Sequence, residues 1–457
     1  MAHHSDIQTI EYENPRTISR ATVSFSQSVK IMLESLDTAL DVLAHPHCTD
    51  VINECPPSVI SLLSTRPDIL KILAHTKLHT YHYASVPTCW RRLYTDTSII
   101  IAIKSIKRIL LDTQPNGESS LGEGQDEAAD EEKICEVIRM LDMAIIMAGA
   151  EGRRELIDDI LTAFESHVKK HQSPQTKRRK LEDAFPMDLK ADNAAPIIRH
   201  PIPSISDMSL ATFNRYLEVK SMPLMIKGAL THWPAFDERP WNPNYLMERT
   251  FGGRRLIPVE VGRSYTDEGW GQSIITFREF MNKYLLNEEV GDRSKLGYLA
   301  QYDLFSQIPL LRNDISIPDY CYADIPATRI RDKREPGEAL LNAWFGPAGT
   351  VSPLHTDPYH NILCQVAGKK YIRLYSPEFI ENVYPRGIQV DGVNMSNTSE
   401  VDVEAAPDQL DARFPLFREA RYVETILNEG ECLYIPVGWW HYVRSLTVSF
   451  SVSFWFI

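Results

Sequence analysis

The sequence predicts an α+β fold in which a helical N-terminal region precedes an antiparallel β-barrel or jelly roll. Two observations predict this division. Apolar residues recur at spacings of three and four in the first part of the chain, whereas segment 446–457 alternates between apolar and mostly hydroxyl side chains. We therefore expect a helical domain over residues 1–168, a basic linker over 169–194 and a β-rich domain over 195–457.

The N-terminal domain is predicted to be all-α. The helical spacing is clearest at Ile31, Leu33, Leu36, Leu40 and Leu43. Helices are predicted over 26–44, 57–75, 97–112 and 131–167. Segment 114–132 is rich in Gly, Ser, Glu and Asp, a composition typical of a disordered acidic loop. The role of this domain is either partner binding or packing on the barrel, and the sequence does not decide between them.

Composition is that of an ordinary globular protein. Its 457 residues suffice for two or three domains, with 43% hydrophobic and 24% charged residues. No apolar run reaches about eighteen residues and no signal-peptide core is visible, so we expect no membrane span. The seven cysteines are scattered without a Cys-x-x-Cys pair, which predicts free thiols in a reducing compartment. The cluster His45, His47, Cys48 and Cys55 matches no common zinc spacing and is interpreted as a loop with chance neighbours.

Charge argues against direct nucleic-acid binding, because the net charge is −13. One basic run lies in the predicted linker, Lys169-Lys170 and then Lys177-Arg178-Arg179-Lys180. Two interpretations stay open for it: a two-part nuclear import signal and a solvated charged linker. The first predicts a nuclear protein that is also found in the cytoplasm.

His355-Thr356-Asp357 and His441 form a candidate set of metal ligands. Residues i and i+2 of a strand point to the same side, about 6.6 Å apart, so His355 and Asp357 can reach one cation. The separation of 84 residues (441 − 357) fits a return strand in an antiparallel barrel. Two imidazoles and one carboxylate with open positions are typical of non-haem Fe(II) oxygenases. An isolated His-x-Asp also occurs by chance, so the surroundings must decide.

A hairpin is predicted directly after this pair. Two apolar runs within 361–375 are joined at Gly368, which places Lys369 and Lys370 at the turn. A lysine near a metal in an apolar sheet requires an anionic partner, and a dicarboxylate cosubstrate would supply one. The alternative for either lysine is a solvated hairpin tip.

The last segment is predicted as one strand, with serines such as Ser449, Ser451 and Ser453 on one face and bulky residues on the other. If this strand continues unbroken from His441, its hydroxyl face shares the parity of the histidine. That face would leave room and hydrogen-bonding groups around the metal. A bulge would reset the parity, and the serines could instead face solvent.

The stretch 342–357, Asn-Ala-Trp-Phe-Gly-Pro-Ala-Gly-Thr-Val-Ser-Pro-Leu-His-Thr-Asp, together with the hairpin and the terminal Trp-His-Tyr-Val-Arg segment, resembles the Jumonji-C domain family. Within that family the chain is most similar to the group called Jumonji-domain-containing protein five or lysine demethylase eight, on the supporting stretches 259–270, 314–321 and 397–403. The resemblance covers roughly residues 195–457. It implies a C-terminal double-stranded β-helix, the cupin-like jelly roll, that uses Fe(II), 2-oxoglutarate and O2.

The resemblance also implies roles for individual residues. The implied metal ligands, which are the catalytic positions, are His355, Asp357 and His441. The implied 2-oxoglutarate-binding positions are Tyr265, Ser352, Asn361 and Lys370. Of these, Lys370 and Tyr265 would hold the distal carboxylate, through charge-assisted hydrogen bonds about twice as strong as neutral ones. The implied substrate-pocket aromatics are Trp344 and Trp455, for which a plain core role stays the alternative.

Three functions stay open. The preferred one is an Fe(II)- and 2-oxoglutarate-dependent hydroxylase acting on arginyl side chains of a protein substrate, with succinate and CO2 as products. It is preferred because the sequence shows no Cys/His zinc cluster and no histone-reading module, parts that chromatin demethylases commonly append. The second is a histone methyl-lysine demethylase using the same oxidant, and the third is a non-catalytic scaffold that binds partners. The expected partners are a protein substrate and chromatin-associated proteins, without nucleic acid or membrane.

Overall fold

The structure is a computed structural model that describes residues 15–112, 123–171, 184–186, 195–220, 222–266, 269–286, 296–326, 338–389 and 392–457. The chain divides into two compact units, Met1–Lys177 and Arg178–Ile457. Within the described parts, every helix is too short or too polar to cross a membrane. Most of the predicted linker, including Lys177 to Lys180, lies outside the described residues, so its boundaries and the import signal stay predictions.

The first unit is built from helices, as predicted. They are α1 (Pro15–Ala44), α2 (Pro57–Ile60), α3 (Pro67–Thr80), α4 (Thr88–Asp112), α5 (Glu123–Ala148) and α6 (Arg154–His171). Helix α4 packs against α3 and α5, and its side chains Leu93, Ile99, Ile103 and Ile106 are fully buried there. Burying this apolar surface stabilises the unit.

Several helix boundaries differ from the prediction. The predicted helix 57–75 is two helices: α2 ends at Ile60, and a new helix, α3, begins at Pro67, whose missing N–H suits the first turn of a helix. The predicted helix 131–167 is broken at Gly149 and Gly152, whose φ angles of 79° and 66° end α5. Of the predicted loop 114–132, residues 114–122 lie outside the described residues. The loop prediction was wrong for the last ten residues, 123–132, because α5 begins at Glu123. The acidic residues there are favourable at the start of a helix.

The second unit carries two sheets that form the predicted jelly roll. The strands are β1 (Ser204–Ser206), β2 (Leu224–Lys227), β3 (Leu256–Val261), β4 (Gly271–Thr276), β5 (Gly297–Tyr302), β6 (Leu340–Gly346), β7 (Val351–His355), β8 (His360–Ala367), β9 (Lys370–Tyr375), β10 (Tyr422–Leu427), β11 (Cys432–Ile435), β12 (Trp440–Ser445) and β13 (Ser449–Phe456). The larger sheet has the order β1-β2-β11-β8-β13-β6-β5-β3-β4, and the smaller has the order β10-β9-β12-β7. Apart from the parallel pair β1–β2, the neighbouring strands are antiparallel.

Short helices flank the sheets. They are α7 (Leu210–Val219), α8 (Pro243–Arg249), α9 (Phe277–Phe280), α10 (Leu304–Gln307), α11 (Pro309–Arg312) and α12 (Pro407–Arg413). One core cluster combines Phe280 of α9 with Phe345 and Phe450 of the larger sheet. A second combines residues of both sheets, among them Leu363 of β8 and Ile372 of β9. The space between the sheets is therefore apolar, and the functional site is set into it.

The predicted hairpin at Gly368 was wrong. Strand β8 pairs with β11 and β13, whereas β9 pairs with β10 and β12, so the two strands belong to different sheets. Gly368, with φ +72°, turns the chain from one sheet to the other, and a Cβ there would overlap the carbonyl oxygen of Val448. Lys370 has the same parity in β9 as Ile372, which packs between the sheets, so its side chain points to the same side.

The predicted C-terminal strand is present as β13, but it does not continue unbroken from His441. The chain leaves the smaller sheet at Ser445 and enters the larger one at Ser449, so β12 and β13 are separate strands. Ser451 and Ser453 are nevertheless fully buried, which rules out the solvent-facing alternative. The Ser451 hydroxyl donates to the side-chain oxygen of Gln365 at 2.7 Å.

Candidate metal centre

The three predicted metal ligands come together at one end of the smaller sheet. His355 ends β7 and lies directly opposite His441 on the antiparallel strand β12, with ring centroids 4.1 Å apart. Asp357 follows two residues after β7. Its carboxylate oxygens lie 3.9 Å from His355 Nε2 and 3.5 Å from His441 Nε2. One atom of each residue lies within 4.8 Å of the others, close enough to share a cation.

Backbone carbonyls fix both imidazole rings. His355 Nδ1 lies 2.7 Å from the carbonyl oxygen of Pro353, and His441 Nδ1 lies 3.1 Å from that of Trp439. Since a carbonyl only accepts, each Nδ1 must carry the proton. The unprotonated Nε2 atoms then face Asp357, which is the tautomer that metal ligation requires.

Electrostatics favour the metal-binding protonation states. Burial, reinforced by His441, lowers the pKa of His355 to about 4. Burial would raise the pKa of Asp357, but the neighbouring imidazoles of His441 and His355 lower it overall. At neutral pH the group is therefore a neutral His355 beside an ionised Asp357. Two nitrogen donors and one oxygen donor that can share an ion, beside an open cavity, suit Fe(II).

The described part of the chain has no second group of three or more His, Cys, Asp or Glu side chains that could hold a metal ion. The interpretation of His45, His47, Cys48 and Cys55 as a loop with chance neighbours stays a prediction. All seven cysteines are free, as predicted.

A cavity beside the three ligands brings together most of the remaining predicted residues. It is lined by Ser352, Asn361, Lys370, Trp344 and Tyr298, with His355, Asp357 and His441 at its wall. Lys370 is only 1% exposed, whereas Lys369 is exposed, so the alternative of a solvated tip applies to Lys369 alone. Burial lowers the pKa of Lys370 to about 7. A buried ammonium without a carboxylate is costly, and a bound dicarboxylate would stabilise it.

Tyr298 occupies the position beside Lys370 that the sequence analysis had given to Tyr265. The Lys370 ammonium donates to the Tyr298 hydroxyl at 3.3 Å. Burial raises the pKa of Tyr298, partly offset by a hydrogen bond with Ser352, so this hydroxyl stays protonated at neutral pH. Tyr265 is not among the cavity-lining residues, and its hydroxyl lies 3.4 Å from that of Thr398. A role for Tyr265 in cosubstrate binding stays a prediction.

Asn361 presents an unused hydrogen-bonding atom to the cavity. Its side chain is 4% exposed, and Oδ1 has no hydrogen-bond partner among the described residues. Buried polar atoms of this kind are rare in folded proteins, and they commonly indicate a missing ligand or water. The cavity therefore has the donors and acceptors that a polar small molecule requires.

The two predicted tryptophans are placed differently. Trp344 lines the cavity, and its indole N–H donates to the Ser453 hydroxyl at 2.9 Å. Trp455 does not line it but stacks on Tyr359, two residues after Asp357, with ring centroids 5.7 Å apart. The pocket role is therefore better supported for Trp344 than for Trp455.

A carboxylate that the sequence analysis could not assign lies next to this site. Glu260 on β3 is directly opposite Tyr298 on β5, so both side chains lie on one face of the sheet. Burial raises the pKa of Glu260, although the indole N–H of Trp270 donates to it at 3.3 Å. Neither Glu260 nor Tyr298 carries a local signal of function, because their proximity depends on strand pairing.

Comparison with known proteins gives three informative relatives. A family model described as a cupin-like domain matches residues 210–457. Lysine-specific demethylase 8 of Danio rerio is 35% identical over 445 residues, which cover 96% of this chain and 97% of that protein. Jumonji C domain-containing protein 5 of Drosophila melanogaster is 34% identical over 381 residues, 83% of each chain. Lysine-specific demethylase 8 of Xenopus tropicalis is 46% identical over 254 residues, 56% of this chain and 52% of that protein.

Proposed function

Because this chain belongs to the cupin-like Jumonji-C family of Fe(II)- and 2-oxoglutarate-dependent oxygenases, we propose that it oxidises a cationic side chain of a protein substrate. The observation that carries the proposal is the single cavity that joins the ligand set to Lys370 and Trp344, with the carboxylate of Glu260 next to it. Family membership and the intact ligand set favour an enzyme over the scaffold hypothesis.

The chain's own residues would divide the work as follows. His355, Asp357 and His441 would hold iron, which with 2-oxoglutarate and O2 supplies the oxidising chemistry. Lys370 and Tyr298 would anchor the far carboxylate of 2-oxoglutarate, since an ammonium and a hydroxyl both donate to it. The apolar wall formed by Leu363, Ile435 and Val443 would keep water out of the cavity.

A cationic substrate is supported by the site's charge and aromatic character. Glu260 provides a half-buried carboxylate, and Trp344 provides an indole face at the cavity. A guanidinium or a methylated ammonium would gain from both, through charge attraction and cation–π contact. A guanidinium can also donate hydrogen bonds to Glu260, which a trimethylated ammonium cannot.

Two reactions follow from this arrangement. Methyl-lysine demethylation is supported by the names of two relatives, lysine-specific demethylase 8 of Danio rerio and of Xenopus tropicalis. Arginyl hydroxylation is supported by Glu260, since its carboxylate matches the N–H groups of a guanidinium. The relatives' names support demethylation more directly, and both reactions would use the same oxidant. A nuclear location and chromatin-associated partners belong to the same proposal and fit the demethylase names.

The test compares two sets of peptides that differ only at the central residue, arginine in one and trimethyl-lysine in the other. Each set is incubated with the purified protein, Fe(II), ascorbate and 2-oxoglutarate, and products are read by mass spectrometry. Gain of one oxygen on arginine identifies the hydroxylase, whereas loss of a methyl group with formaldehyde release identifies the demethylase. Asp357→Ala serves as the inactive control.

Glu260→Gln separates the two reactions further. We expect it to raise the KM for an arginyl peptide by roughly tenfold, because a charge-assisted hydrogen bond contributes about 1.5 to 3 kcal/mol. The effect on a trimethyl-lysine peptide should be smaller, because that group has no N–H to donate. If neither peptide set is modified and no succinate forms with or without peptide, the proposed function is wrong.

A further inference from the structure

One turn of the backbone contacts both halves of the metal centre. It comprises residues 436–439 and is closed by the Trp439 N–H, which donates to the Pro436 carbonyl oxygen at 3.2 Å. The Trp439 carbonyl oxygen accepts from His441 Nδ1 at 3.1 Å. The Gly438 N–H donates to the Asp357 carbonyl oxygen at 3.4 Å. The position of this turn therefore affects two of the three metal ligands.

The third contact of the turn is with a buried histidine that is not itself a ligand. His360 begins β8 and is 2% exposed. Its Nδ1 lies 3.4 Å from the Val437 N–H and 2.8 Å from the Tyr434 hydroxyl. An N–H only donates, so Nδ1 is the unprotonated acceptor of both bonds. His360 thus contacts the last part of β11 through Tyr434 and the turn through Val437.

We infer that His360 is a positioning residue of the metal centre: it holds the 436–439 turn, and the turn in turn orients His441 and Asp357. Three consecutive residues of the turn, Val437, Gly438 and Trp439, contact His360, Asp357 and His441 respectively. This inference concerns the iron site of the oxygenase and does not depend on which substrate is oxidised.

The ring of His360 has two separable properties. It packs parallel to the Tyr434 ring, with centroids 5.8 Å apart and planes 9° apart, and also contacts Phe456. It additionally provides the acceptor for the Val437 N–H. His360→Phe keeps an aromatic ring and removes the acceptor. His360→Asn keeps an acceptor close to the position of Nδ1 and removes most of the ring.

The experiment measures metal affinity directly. Full-length wild type and both variants are titrated anaerobically with Co(II), and the dissociation constant and the visible absorption bands are recorded. Groups that support metal ligands commonly change affinity by 10- to 100-fold when lost. We expect His360→Phe to bind Co(II) roughly tenfold more weakly with altered bands, and His360→Asn to recover both to within about threefold.

Thermal unfolding of the metal-free proteins separates positioning from plain packing. A packing role alone would lower the melting temperature most in His360→Asn and leave the Co(II) spectrum of His360→Phe unchanged. If His360→Phe does not fold, His360→Gln replaces it, because glutamine moves the acceptor by one bond and should reproduce the loss of affinity. The inference is overturned if His360→Phe, or His360→Gln where it is used, keeps the wild-type Co(II) affinity and spectrum. It is also overturned if His360→Asn does not recover the wild-type Co(II) affinity and spectrum.

Discussion

The proposed role of Lys370 in holding 2-oxoglutarate predicts that cosubstrate binding depends on pH. Its side chain is buried and donates to the Tyr298 hydroxyl, and burial lowers its pKa to about 7. A dicarboxylate binds the charged ammonium and raises the pKa of Lys370 again. Binding therefore takes up a proton wherever Lys370 is neutral in the free protein.

The sign and size of the effect follow by linkage. Below pH 7 the ammonium is already charged, so affinity changes little with the state of Lys370. Above pH 7 each pH unit costs about 1.36 kcal/mol, which approaches a tenfold rise in Kd. Between pH 7, where half of Lys370 is charged, and pH 9, we expect the Kd for 2-oxoglutarate to rise roughly fiftyfold, or about 2 kcal/mol.

Isothermal titration calorimetry of Mn(II)-loaded protein with 2-oxoglutarate measures this dependence without turnover. Lys370→Met should weaken binding at pH 7 by about 2 kcal/mol and remove the slope above pH 7. Lys369→Met is the matched control, because its exposed side chain is a neighbour outside the cavity, and it should behave like wild type. A Kd that stays constant from pH 7 to pH 9 in the wild type, or a slope that persists in Lys370→Met, would refute the reasoning.

Three further predictions concern the same site. His355→Ala and Asp357→Ala should each abolish metal uptake and turnover. Thermal unfolding should stay cooperative, because the barrel is held together by its apolar clusters. Metal uptake equal to that of the wild type in either variant would refute the ligand assignment. The pKa of Lys370 is about 7 when folded against 10.5 unfolded, so the folded state binds fewer protons between these values and stability rises with pH there. Lys370→Met should remove the rise of stability with pH and should stabilise the ligand-free protein near pH 7. Urea unfolding of both proteins at pH 7 and pH 9 measures this. A pH dependence of stability in Lys370→Met equal to that of the wild type would contradict the prediction. Trp344→Phe keeps a ring but loses the bond to Ser453, so it should raise the KM for a protein substrate several-fold without changing Co(II) affinity; an unchanged KM would assign Trp344 to packing.

Local patterns in the sequence were sufficient for part of the architecture. Helical spacing predicted the helical unit, and the i, i+2 rule paired His355 with Asp357 on one side of the chain. The new helix at Pro67 and the end of a helix at Gly149 are marked in the sequence by the proline and the glycine themselves. The apolar periodicity continues across both positions, so these two signals were overlooked. The ends of helices were therefore less predictable than their presence.

Strand partners could not be read from local sequence. The two apolar runs around Gly368 fit a hairpin as well as a corner between sheets, because only distant partners decide where their N–H and C=O groups bond. The same limit hid Tyr298, which reaches Lys370 across strands separated by 72 residues in the chain. Glu260 joins it only through the pairing of β3 with β5. These contacts depend on long-range register, which alternation alone does not specify.

The corner at Gly368 ties the architecture of the barrel to its chemistry. The glycine passes so close to Val448 that no larger residue fits, and the next buried side chain along the chain is Lys370. Any side chain at 368 would force apart the junction from which Lys370, the proposed cosubstrate anchor, projects. We therefore expect substitutions at position 368 to be tolerated as poorly as substitutions at the proposed iron ligands. The reason at position 368 is lack of space, because glycine has no reactive group. Redesign of the cosubstrate pocket would have to begin by rebuilding that junction.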